Sequence, residues 1–173
     1  MAHKYAILIQ PSTNIIEQIR NHKLNIKELI GNYNSYDVDA HITLNSFYAG
    51  DTTLVKWKEY LIMIQKTQQA LHFEFDRTII YSNQAFVMIP SENCSKLLLP
   101  FVKQFHANAP SPIRTKSSKP HLTIARQLTD DQMCILSKFR QQIHVEFTSY
   151  NLVLNRYNQH AKTYEQESIY PIT

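Results

Sequence analysis

The tetrapeptide His41-Ile42-Thr43-Leu44 occurs a second time eighty positions later, as His121-Leu122-Thr123-Ile124. In an extended strand, successive side chains point to opposite faces. Each tetrapeptide therefore sets its histidine and threonine on one face and its two aliphatic residues on the other. Burial of the aliphatics fixes the register, and the polar pair is left to face something else. Two such strands in a chain of 173 residues predict one site built from two related halves.

The surroundings of the motif repeat as well. Tyr5 to Ile9 predicts a buried strand stopped by Pro11, and Ala85 to Ile89, followed by Pro90 and Ser91, resembles it at the same offset of eighty. Ser12 to Ile30 predicts a helix with Ile15, Ile16, Ile19, Ile26, Leu29 and Ile30 inward, an Asn14/Glu17 capping box, and Gly31 closing it. Asp37 to Tyr48 is the strand of the first motif. A helix follows from Asp51 with Leu54, Trp57, Leu61 and Ile64 at helical spacing, then a strand from His72 to Tyr81.

After a turn at Ser82-Asn83 and a strand over Gln84 to Ile89, the order restarts with a helix from Ser91 to about Asn108. Its inward face is expected at Leu97, Phe101 and Phe105, with a kink or break at Pro100. Pro120 to Leu128 carries the second motif, and Thr129 with Gln132 opens another helix, with Met133, Leu136, Phe139 and Ile143 inward. His144 to Asn155 and Thr163 to Ile172 read as a closing pair of strands. This order predicts an α+β fold, duplicated and bilobal, with pseudo-repeat lobes over approximately 1–81 and 82–173. Two largely antiparallel sheets would face a central cleft, with the helices outside.

Composition narrows the function classes. A hydrophobic content of 43% and a charged content of 18% fit a globular chain, not a disordered one. No apolar run approaches the roughly 18 residues of a membrane span, and the apolar segment after Met1 is too short for a signal sequence. The formal charge of +4 suits an anionic ligand without demanding a nucleic-acid groove. Cys94 and Cys134 lack C-x-x-C spacing and read as reduced thiols. The expected state is a cytoplasmic monomer.

Two histidines on opposite sides of a cleft suit concerted acid–base chemistry, because imidazole exists in both protonation states near neutrality. One takes a proton from the attacking hydroxyl or water; the other gives one to the leaving oxygen. Thr43 and Thr123, on the same strand faces, offer hydroxyls to the non-bridging oxygens of a phosphodiester. His41 and His121 have no further ligands at metal spacing, so no metal or other cofactor is expected. His72 with Glu74 and Asp76, and His144 with Glu146, read as solvated strand faces, and Trp57 as core.

With these residues in view, the chain resembles the 2H phosphoesterase superfamily, defined by two His-x-Thr/Ser motifs in a duplicated bilobal fold. Within it, the resemblance is strongest to the RNA 2′,3′-cyclic phosphodiesterases, also called 2′-5′ RNA ligases. Pro120-His121-Leu122-Thr123-Ile124-Ala125-Arg126 is similar to that family's second motif almost throughout. The resemblance implies His41 and His121 as the acid–base pair, His121 as base and His41 as acid, with Thr43, Thr123 and Arg126 on the phosphate. It implies RNA or oligonucleotide ends and cyclic nucleotides as partners. Arg126 lies five residues after His121, so ideal alternation puts it on the opposite face, and only a bend or bulge would turn it inward. Asn45 to Gly50 departs from the family pattern, which leaves Phe47 or Tyr48 for a base-facing aromatic. Other 2H activities, on 2′-5′ oligoadenylate, cyclic oligonucleotides or ADP-ribose cyclic phosphate, and a non-catalytic nucleotide- or RNA-binding module are the alternatives.

Overall fold

The computed structural model describes residues 2–117, 119–139 and 143–172, with the side chain of Lys116 also outside the described part. Ser118, in the loop before the second motif, thus lies outside the described residues. The elements run β1 (His3–Ile9), α1 (Thr13–Ile30), β2 (Ile42–Ala49), α2 (Asp51–Thr67), β3 (Leu71–Tyr81), β4 (Ala85–Pro90), α3 (Glu92–Ala107), β5 (Thr115–Lys116), β6 (Leu122–Ala125), α4 (Asp130–Ser137), β7 (Val145–Ser149), β8 (Asn151–Asn158) and β9 (Thr163–Pro171). They form an α+β fold with two sheets, ordered β5-β2-β1-β8-β9 and β6-β4-β3-β7. Every strand pairing is antiparallel.

Each half of the sequence lends strands to the other half's sheet. β3, from the first repeat, sits between β4 and β7; β8 and β9, from the second, continue the sheet of β1 and β2. The repeat boundary near 81/82 therefore does not divide the molecule in space. The segment read as one strand from His144 to Asn155 breaks at the exposed Tyr150, and its two parts, β7 and β8, enter different sheets.

The main core lies between sheets and helices and is organised by aromatic stacking. Trp57 is fully buried, with its ring centroid 4.1 Å from that of Phe47, which in turn stacks on Tyr5 at 5.7 Å. In the second sheet Phe73 stacks on Phe75 and Phe147 at 6.0 and 5.2 Å.

The helices follow the predicted periodicity except where neighbouring apolar residues compete for the inward phase. α3 buries Cys94, Leu98, Val102 and Phe105, whereas Leu97 is 76% exposed. The run Leu97-Leu98-Leu99 allows two phases, and Cys94 and Val102 select the second. Pro100 does not end α3; its ring lies on the exposed side. Leu29 is likewise exposed beside the buried Ile30. The capping box at Thr129 and Gln132 forms, but α1 starts after Ser12, whose side chain makes no capping bond, and the Asn14/Glu17 box does not form. Cys94 is buried and Cys134 exposed, and both are free thiols. Among the described residues, no helix is long and apolar enough to cross a membrane.

Candidate active site

The two motif strands lie in different sheets and carry the same irregularity. In β1–β2 the register passes from Ile7↔Asn45 to Leu8↔Thr43, leaving Leu44 unpaired as a bulge. In β4–β6 it passes from Phe86↔Ala125 to Val87↔Thr123, leaving Ile124 as the bulge. The pairing shows that the first strands repeat at an offset one residue shorter than the motifs: Leu8 and Val87 are the partners of the two threonines. Alternation breaks at each bulge, so Leu44 and Asn45 are both buried, as are Ile124 and Ala125. The next residues return to the motif face. Arg126 thereby joins the side of His121 and Thr123, and Tyr48 that of His41 and Thr43.

The histidines are held in matching ways. His41 Nδ1 lies 2.8 Å from the Asp39 carbonyl oxygen, and His121 Nδ1 lies 3.0 Å from that of Lys119. A carbonyl only accepts, so each Nδ1 carries the donated hydrogen, and Nε2 is left to exchange a proton with a ligand. Both rings are partly exposed. The ring of Tyr81, at the end of β3, meets that of His121 edge-on at 5.5 Å and 87°, fixing the imidazole plane from the side.

His41 is held below the usual histidine pKa, first by burial; the charges of Lys23, Arg126 and His121 add to the effect, and the Asp39 carbonyl opposes it. Arg126 and His121 thus lie near enough to His41 for their charges to act on its ring. The backbone of the second motif is also tied to the first half of the chain. Arg126 N–H donates to the Asn34 carbonyl at 3.2 Å, and Gln132 Nε2 donates to the carbonyls of Ile30 and Asn32 at 3.1 and 2.9 Å. The segment before the second motif lies along β2, with Arg114 N–H on the Ser46 carbonyl and Ser117 N–H on that of Leu44.

Lys23 carries no motif signal and was missed in the sequence. It projects from α1, is only 2% exposed, and its Nζ donates to the carbonyls of Ser35 and Val38 at 2.9 and 2.6 Å. Those bonds, with Ser35 at a φ of 74°, fold 35–38 into turns, so β2 starts at Ile42 and not at Asp37. Burial brings the Lys23 pKa down to about 8. Removing this charge takes away one of the influences that disfavour the imidazolium at His41. In Lys23→Met, His41 is expected to titrate at higher pH than in the wild type, read from imidazole NMR signals; an unchanged or lower midpoint would show that the ammonium does not act on that ring.

The two aromatic candidates separate. Phe47 is fully buried in the stack with Trp57, so its ring cannot meet a base. Tyr48 is 46% exposed, with the Arg114 guanidinium 5.3 Å from its ring centroid. His72 and His144 lie at the surface near Glu146 and Glu74, at 3.4 and 3.6 Å. Among the described residues, no three His, Cys, Asp or Glu side chains are grouped so as to hold a metal ion.

Two antiparallel sheets, each carrying one His-x-Thr strand, make up a fold that this chain shares with solved structures. Solved structures with this architecture include Escherichia coli LigT complexed with 3′-AMP, with a TM-score of 0.73, 12% identity, and 100% of this chain and 99% of that one covered. TT0787 of Thermus thermophilus matches with a TM-score of 0.67 at 13% identity, over 98% and 97% of the chains. Kluyveromyces marxianus Usb1 matches with a TM-score of 0.57 at 11% identity, over 98% of each. No family model and no curated sequence matches this chain. At such identities the likeness is one of fold.

Proposed function

We propose that the protein is a metal-independent phosphodiesterase that opens 2′,3′-cyclic phosphate at RNA or oligonucleotide ends. The observation that carries this reading is the matched pair of histidines, each with Nδ1 on a backbone carbonyl two residues earlier and no hydrogen-bond partner at Nε2 among the described residues. The site supplies a base, an acid, two hydroxyls and a guanidinium, the set that in-line displacement at a phosphodiester monoanion calls for. LigT, whose fold this chain shares, has been crystallised with phosphate as well as 3′-AMP.

Neutral His121 takes a proton from water while the water oxygen attacks phosphorus. The P–O3′ bond breaks, and protonated His41 gives its proton to O3′, leaving a 3′-hydroxyl and a 2′-phosphate. Thr43, Thr123 and Arg126 hold the non-bridging oxygens. With an RNA 5′-hydroxyl in place of water, His121 takes the proton of that hydroxyl, the same P–O3′ bond breaks and His41 again protonates O3′, which forms a 2′-5′ linkage; the roles exchange only when that linkage is cleaved by its 3′-hydroxyl.

The electrostatics at His41 make its proton depend on the substrate. In the free protein, burial and the nearby cations keep the ring neutral below the usual histidine midpoint. A phosphate lodged between the motifs offsets Arg126 and Lys23 and draws a proton onto His41. Affinity for inorganic phosphate is therefore expected to rise as pH falls through the raised His41 midpoint of the complex, beyond the effect of phosphate's own titration, with proton uptake seen by calorimetry in two buffers.

The deciding assay offers 2′,3′-cyclic nucleotides and 2′-5′ oligoadenylate to the protein with EDTA present, followed by phosphorus NMR. The expected result is a 2′-phosphate product and a bell-shaped rate–pH profile belonging to the histidine pair. Loss of activity in EDTA would overturn the metal-free mechanism. Turnover of the oligoadenylate alone would move the assignment to another 2H activity. Binding without turnover of either would mark a nucleotide-binding module.

A further inference from the structure

The cleft face of the five-stranded sheet carries more binding chemistry than a single cyclic phosphate uses. Ala6, Leu8 and Val153 form a small buried cluster separate from the main core, with Tyr164 packed against it. They lie on the opposite side of β1 and β8 from the core residues Ile7 and Leu154, and so on the motif face. Leu8 is the pairing partner of Thr43. The apolar floor therefore begins beside the reacting phosphate.

Along β1 the floor leads to a row of rings and cations. Lys4 is the partner of Tyr48 on one side. On the other, its Nζ lies 5.2 Å from the ring centroid of Tyr157 and 5.5 Å from that of Tyr164. Those two rings pair across β8 and β9 with centroids 5.2 Å apart. Lys4 is four residues from Leu8, or about 13 Å along the strand. Between the two rows, Asn155 pairs with Ala6. An apolar floor, paired tyrosines and a cation are the components of a stacking platform for single-stranded nucleic acid.

We propose that this face is a second subsite, which holds the RNA chain upstream of the reacting end, with a base on Tyr157 and Tyr164 and a backbone phosphate at Lys4. The proposal rests on the phosphodiesterase reading and specifies its substrate: an oligonucleotide end in preference to a mononucleotide. One stacked base is expected to raise kcat/KM for a tetranucleotide ending in 2′,3′-cyclic phosphate about 5- to 100-fold over the matching mononucleotide. Tyr157→Ala and Tyr164→Ala should each remove most of that advantage while leaving mononucleotide turnover as it was. Lys4→Gln should lower the advantage and flatten its salt dependence by roughly 0.7 in log–log slope.

An oligonucleotide advantage that survives all three changes, or a wild type with no advantage, would overturn the subsite. If the wild type turns over neither substrate, the phosphodiesterase reading fails, and the subsite is then decided by binding of a labelled single-stranded tetranucleotide RNA. A roughly tenfold weaker complex with Tyr157→Ala or Lys4→Gln supports it; equal binding by wild type and variants removes it.

Discussion

His41→Ala and His121→Ala are each expected to lower turnover of a 2′,3′-cyclic nucleotide by about 10²- to 10⁴-fold, the range for loss of one positioned acid or base. The residual rate reflects the phosphate-binding groups, which neither change removes. Because the two rings act on one displacement, the double variant should fall little further than the worse single variant. Neither histidine belongs to the apolar clusters of the core, so thermal unfolding should stay close to the wild type in both. A variant that keeps the wild-type rate would show that the matched strands are only structural. His121→Asn tests the same point with hydrogen-bonding capacity retained and proton exchange lost.

The largest stability effect is expected at Trp57, where Trp57→Ala should cost about 3–5 kcal/mol in urea unfolding. The indole is fully buried, stacks on Phe47 of the first motif strand and meets Tyr60 edge-on at 6.0 Å. Its Nε1 donates to Ser111 Oγ at 2.8 Å, in the segment that leads to the second motif. Trp57→Phe keeps most of the stacking and loses this hydrogen bond, a change of about 1 kcal/mol apart from the smaller ring. A loss below about 1 kcal/mol for the alanine variant would mean that the neighbouring rings close over the space and that this stack does not pin the motif strand.

The repeat, the alternation within each His-x-Thr tetrapeptide and the helix start at Thr129 are readable because each rests on local chemistry, whereas the expected Asn14/Glu17 box does not form. The Thr129 capping box and the burial of Trp57, Leu61 and Ile64 needed only spacing to predict. What escaped depended on contacts distant in sequence. The phase of α3 is chosen by what packs against Cys94 and Val102. The late start of β2 follows from Lys23 claiming two loop carbonyls, and an exposed-looking lysine in a helix gives no hint of that. The bulges at Leu44 and Ile124 decide which way Arg126 and Tyr48 face, yet neither carries the glycine that often marks such a site. Asn45 and Ala125 occupy equivalent buried positions after the bulges. The asparagine amide has no partner there among the described residues, an asymmetry that alternation alone does not foresee.

The exchange of strands between the halves has a consequence for how such a molecule can arise and come apart. Cutting the chain after β3 would strip the four-stranded sheet of a central strand and leave the other sheet without β5, β8 and β9. Neither fragment closes its own hydrogen-bond ladders, so neither is a self-sufficient half. Two copies of one ancestral half, however, could satisfy each other by trading their third strands, and their association would bring two identical His-x-Thr strands face to face. Gene fusion of such a swapped homodimer accounts for the exchange of β3 and β8, with β5, β7 and β9 added in the second half. It also frees the two motifs to diverge, as Asn45 and Ala125 have done.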